Sequence, residues 1–100
     1  KKIMEIFSAK LDSKYPVLED ADDGAKFDYY LALARSLFLR AQLEKFDFVK
    51  LDVYQMAFAA SEKAWRFIDS DLSESPHHRS QLLYTRLAIS SRINKRIYSA

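Results

Sequence analysis

The stretch FVKLDVYQMAFAASEKAWRFID, residues 48–69, decides the fold class of this chain. Within it Leu51, Tyr54, Phe58, Ser61, Trp65 and Ile68 recur at alternating steps of three and four, the period of one helix face. Ala57, Ala60 and Ala64 lie beside that stripe, and residues this small would let a second helix approach closely. Asp47 stands just before the stretch and reads as its N-cap, a carboxylate able to accept from free backbone N–H groups.

The same period continues upstream. A helix is predicted from Asp22 or Asp23, either of which can cap it, to about Lys45. Its stripe is Phe27, Tyr30, Leu31, Ala34, Leu37, Phe38 and Ala41. Tyr29, Leu33, Ser36 and Leu43 lie off that stripe and are also mostly apolar, as in a helix with more than one packed neighbour. Before it, residues 2–14 read as a short amphipathic helix. Ile3, Phe7 and Leu11 repeat every four positions, Met4 and Ile6 widen the stripe, and Pro16 ends it. An acidic connection, Asp20 to Asp23, leads into the next element.

Downstream, residues 69–76 read as a loop. Ser75 followed by Pro76 has the form of an N-cap and a first helical position. The final helix then carries Leu82, Ile89, Ile93 and Ile97 on one side, with Arg79 and Arg86 seven apart on one face. One glycine and two prolines in 100 residues leave few turn residues, which argues against an all-β fold. The expectation is an all-α protein, an antiparallel bundle of about four helices in one module. Because the chain begins at Lys1, it is read as an excerpt of a longer one.

Composition narrows the chemistry. The chain is 49% apolar and 14% aromatic, too rich in such residues for a disordered segment. It has no cysteine, hence no disulfide framework and no thiolate nucleophile. No apolar run approaches the roughly 20 residues of a membrane span, so a cytoplasmic protein without membrane association is expected. His77 and His78 are adjacent and point about 100° apart on a helix, whereas two ligands for one ion need a spacing of three or four. No metal or cofactor is expected. The single glycine leaves no phosphate-cradling loop, and no Gly-x-Ser-x-Gly elbow is present. Asp47 and Asp52 could approach one another, but capping and solvation account for them. An enzyme is therefore not expected.

Residues 53–65 read Val-Tyr-Gln-Met-Ala-Phe-Ala-Ala-Ser-Glu-Lys-Ala-Trp. This resembles the Ala-Tyr-Gln-Glu-Ala-Phe-Glu-Ile-Ser-Lys-Lys segment of 14-3-3 proteins, with Tyr54, Gln55, Ala57, Phe58, Ser61 and Lys63 matching in register. Ser75-Pro76-His77-His78-Arg79 is similar to that family's Pro-Thr-His-Pro-Ile-Arg stretch. Leu11-Asp12-Ser13-Lys14-Tyr15-Pro16 resembles the Leu-Asp-Lys-Tyr-Leu-Ile-Pro end of its fourth helix. Asp28-Tyr29-Tyr30, with Leu33 and Ala34, resembles its Asp-Tyr-Tyr-Arg-Tyr-Leu-Ala run. The pieces occur in the family's order and correspond to its middle helices. Lys45-Phe46-Asp47 through Ala57 also resembles the second helix of tetratricopeptide and MIT-type hairpins.

The 14-3-3 resemblance implies an adaptor that binds a phosphoserine- or phosphothreonine-containing segment of a partner protein in a helical groove. Members of that family hold the phosphate with lysine, arginines and a tyrosine. At the Arg-Tyr pair this chain has Leu31 and Ala32, or Phe38 and Leu39 in the other register. Arg35 or Arg40 would have to substitute from a neighbouring position, and they lie about 140° apart on the helix. Arg86 falls near the asparagine that grips the peptide backbone. The candidate phosphopeptide-binding residues are therefore Arg35, Arg40 and Arg86, which could chelate phosphate through bidentate guanidinium contacts. The resemblance also implies homodimerisation through segments outside this chain. The rival reading is a tetratricopeptide- or MIT-like scaffold without phosphate recognition. A third is nucleic-acid binding through the last helix, because residues 76–100 hold Arg79, Arg86, Arg92, Lys95 and Arg96 and no acid. The net charge of +2 falls short of the usual footprint of a nucleic-acid domain, so that partner is not expected.

Overall fold

The computed structural model describes residues 2–68 and 76–98. Its elements are α1 (Lys2–Lys14), α2 (Asp23–Leu43), α3 (Asp47–Trp65) and α4 (Pro76–Tyr98). The described residues contain no strand, and the protein is an all-α bundle of four helices. Ser75 and the loop before it lie outside the described residues, as do the side chains of Ile3 and Ile97.

The helix ends follow local chemistry. Asp22 caps α2, its Oδ1 accepting from the Ala25 N–H at 2.8 Å. Pro16 follows the last hydrogen bond of α1, from the Tyr15 N–H to the Leu11 carbonyl. The expected cap of α3 needs correction. Asp47 is the first helical residue, and the cap position belongs to Phe46, which is extended and makes no side-chain cap bond. Asp47 therefore acts through its charge at the positive end of the helix dipole. At the end of α2 the Lys50 ammonium donates to the Gln42 carbonyl, one of the acceptors that a helix C-terminus leaves open. Both helices stop slightly before the predicted ends. In α3, Arg66, Phe67 and Ile68 form a tighter turn in which each N–H bonds three residues back. That turn still carries Ile68 into the core, where it is 1% exposed.

The helix α3 is the hub. With only Glu44–Phe46 between them, α2 and α3 form an antiparallel hairpin. The Tyr30 ring stacks on Phe67, and Phe38 packs on Tyr54. Ala34, Ala41, Ala57, Ala60 and Ala64 are fully buried, which is the close approach their size permits. Running back along α3, α4 brings Arg86 to Glu62 and Arg92 to Tyr54. It follows that α2 and α4 run parallel, with Phe27 against His78 near one end and Phe38 under Arg92 further along. The remaining helix, α1, packs chiefly on α3. Leu11 is its buried anchor, whereas Ile6, expected on its inner stripe, is exposed. Of the off-stripe residues of α2, Tyr29 and Leu33 are half-buried, while Ser36 and Leu43 face solvent. Tyr29 donates its hydroxyl to the Pro16 carbonyl at 2.7 Å, tying α2 to the end of α1.

Candidate functional site

Two parallel helices bridged from one side by a third leave a furrow on the other side. Here the furrow between α2 and α4 is an open cleft of about 260 Å³. Phe38 and Leu39 of α2 meet Tyr84 and Ala88 of α4 across it, and Arg35, Gln81 and Thr85 supply its polar edge. Thr85 is turned to its own helix, its hydroxyl donating to the Gln81 carbonyl at 2.8 Å. Leu39 is 60% exposed and Tyr84 76% exposed, so the lips of the cleft are apolar surfaces in water. Leu43, one turn beyond Leu39, and Leu87, one turn beyond Tyr84, do not line the cleft but are also exposed, adding apolar surface beside it.

The three candidate arginines occupy three different environments. Arg35 lines the cleft, is exposed, and makes no ion pair or hydrogen bond among the described residues. Arg40 points toward α1, donating to the Tyr15 hydroxyl at 3.3 Å with Glu44 3.8 Å away. Arg86 faces α3, where Nη1 lies 3.2 Å from Glu62 Oε1 and the guanidinium covers Phe58 and Trp65. Arg86 follows Thr85 by one residue, a turn of about 100° that carries it from the cleft to the α3 side. The structure thus does not bring Arg35 or Arg40 together with Arg86.

A second polar cluster joins α1 to α3. Lys63, with its side chain 11% exposed, places its ammonium 3.1 Å from Asp12 Oδ1 and 5.8 Å from the Tyr30 ring centroid. Lys10 pairs with Asp52 at 2.7 Å along the same interface. Burial raises the Tyr30 phenol above its usual pKa, the Asp12 carboxylate and Tyr29 push it the same way, and Arg66 opposes them. Sequence reading placed Lys63 only as a family match. Its position beside Ala60 and Ala64 on an inward face was the available signal, because a cation there requires a partner.

His78 packs edge-on against Phe27 and sits 4.0 Å from Asp28. Among the described residues no three His, Cys, Asp or Glu side chains gather as a metal site would require. No helix among them is long and apolar enough to cross a membrane. The chain matches no family model, no curated protein and no solved structure.

Proposed function

We propose that this protein is an interaction module that takes up a segment of a partner protein in the α2–α4 cleft. The observation that carries the reading is Arg35, an exposed cation without an ion pair beside an apolar furrow whose lips, Leu39 and Tyr84, stand in water. Apolar side chains of the segment would cover those lips, and an acidic or phosphorylated side chain would meet the Arg35 guanidinium. The 14-3-3 resemblance supports the phosphorylated form of this reading, since it assigns groove residues to the helices that flank the cleft. A phosphate held here would depend on Arg35, because Arg40 and Arg86 already face Glu44 and Glu62.

Paired titrations with serine-phosphorylated and unmodified peptides test this. The phosphorylated reading expects a preference that Arg35→Ala removes and Arg40→Ala leaves intact. Binding that ignores the phosphate but is lost in Tyr84→Glu would assign the cleft to a helical scaffold without phosphate recognition. Binding indifferent to both Arg35→Ala and Tyr84→Glu would defeat the module reading itself. Nucleic acid has less support, since Arg86 and Arg92 fold over aromatic rings rather than forming one basic surface.

A further inference from the structure

The cleft reading leaves open the shape of the segment that enters. We infer that the segment is an amphipathic α-helix with acidic residues flanking its apolar stripe, lying along the furrow antiparallel to α2 and α4; this inference rests on the module reading above.

Three observations carry it. The first is the form of the surface. Leu39 and Leu43 are one turn apart on α2, and Tyr84 and Leu87 one turn apart on α4, all exposed. Two ridges with helical spacing and a furrow between them make the seat into which the ridge of another helix packs. Phe38 and Ala88 line the furrow between these ridges and give it an apolar surface for such a ridge to rest on. An extended segment would need polar partners along the furrow for its own backbone N–H and C=O groups. The polar edge supplies few, Arg35 and Gln81, with the Thr85 hydroxyl already donating to the Gln81 carbonyl.

The second observation is charge. No Asp or Glu occurs anywhere in α4. On α4, Lys95 is exposed and lies seven residues beyond Ala88, hence on the same face, and Arg35 stands on the opposite wall. Asp28, the acid of α2 near the cleft, already faces His78. The rim is therefore cationic, and an acidic flank on the incoming helix complements it.

The third observation is direction. With α2 and α4 parallel, their backbone dipoles add, and a helix laid between them is better placed running the other way. The inner side of the same pair shows this arrangement, because α3 lies between α2 and α4 and is antiparallel to both. The partner helix would repeat on the outside what α3 does on the inside.

Selection from a displayed library of unmodified 16-residue random peptides against the full chain tests the inference, with soluble Leu39→Glu/Leu87→Glu protein as competitor. The expected result is enrichment of Leu, Ile, Met or Phe at spacings of three and four, with Asp or Glu on both flanks. A peptide so selected should gain helical circular dichroism on binding. It should weaken about tenfold or more when Leu87→Glu is introduced, and weaken again as salt is raised. Enrichment of cleft-dependent peptides without helical period, or of peptides that bind equally well with a central proline, would overturn the helix inference and leave the module reading standing. Self-association abolished by Leu39→Glu would give the face to a second copy and overturn the inference. Failure to enrich any peptide displaced by wild-type protein and not by the double variant, together with loss of the peptide titrations, would overturn both.

Discussion

Lys63 and Asp12 lie 51 positions apart in the chain, and their charged groups meet at 3.1 Å in the joint between α1 and α3. The lysine is nearly buried and the aspartate partly exposed. Removing Asp12 alone leaves a desolvated ammonium beside the Tyr30 ring, with no other ion pair among the described residues. Asp12→Ala should therefore cost about 1–2 kcal/mol, reduced from a fully buried pair because Asp12 reaches water. Lys63→Met, which fills the same space without charge, should cost less, and the double variant should recover part of the loss. Urea unfolding of the four proteins measures the coupling directly. Strict additivity of the two changes would show that the pair does not hold α1 in place.

Alkaline pH should loosen the same region. The Tyr30 phenol is held above its ordinary value in the folded protein, chiefly by burial and then by the Asp12 carboxylate. A group with a raised folded pKa holds its proton more tightly when folded. Its contribution is complete below the unfolded value of 10.0 and fades as pH climbs through the folded one. Stability should thus fall above the ordinary tyrosine range, and Tyr30→Phe should flatten that fall. An unchanged alkaline limb in Tyr30→Phe would place the ionising group elsewhere.

The two helix starts should respond differently to the same chemical change. Asp22→Ala removes a bond to the Ala25 N–H and should cost about 1 kcal/mol. Asp47→Ala removes only a charge from the first turn of α3 and should cost about 0.3–0.5 kcal/mol, an amount that salt erodes. Denaturation in low and high salt separates them. Equal costs would mean that the Asp47 side chain finds a backbone partner in solution.

Enlarging the hairpin seam should be costly. Ala57 and Ala60 are completely buried where α2 and α3 approach. Ala60→Leu should destabilise by about 1–3 kcal/mol through overpacking. Ala32→Leu, on the exposed face of α2, should be close to neutral. Comparable thermal melts for the two variants would contradict the close contact at Ala60.

Glutamate on the cleft lips should change binding without changing the fold. Tyr84 is 76% exposed, so Tyr84→Glu removes little buried surface and should shift stability by about 0.5 kcal/mol or less. The same change places a carboxylate where a partner's apolar side chains would rest. Wild-type far-ultraviolet circular dichroism together with lost peptide binding is the expected combination.

The helices were legible in the sequence because their apolar spacing is strong and their interruptions few. Phe27, Tyr30, Leu31, Ala34, Leu37 and Ala41 are buried as their period predicted. The capping role of Asp22 was legible because an aspartate followed by a helical stripe leaves few alternatives. Asp47 misled by one position, since a carboxylate at the cap and one in the first turn look alike without backbone angles. Ile6 misled for a different reason. A short helix resting on one neighbour buries a narrow stripe, and the sequence does not state how many neighbours a helix will have. The arginines were the least legible. Whether a guanidinium lies in a cleft, as Arg35 does, or folds onto Phe58 and Trp65, as Arg86 does, depends on which helix packs beside it. Periodicity places a residue on a face and leaves the occupant of that face unstated.

The central position of α3 sets an order of unravelling. Both outer helices, α1 and α4, hold mainly to α3, whereas α2 and α3 hold firmly to one another. Under tension applied at the two termini, α1 and α4 should peel away first and leave the hairpin as the last structured remnant. Amide exchange should follow the same hierarchy, slowest along the middle of α3 and fastest in the terminal helices. One wall of the cleft is then the more easily shed, so whatever settles between α2 and α4 would also fasten α4 to the hairpin.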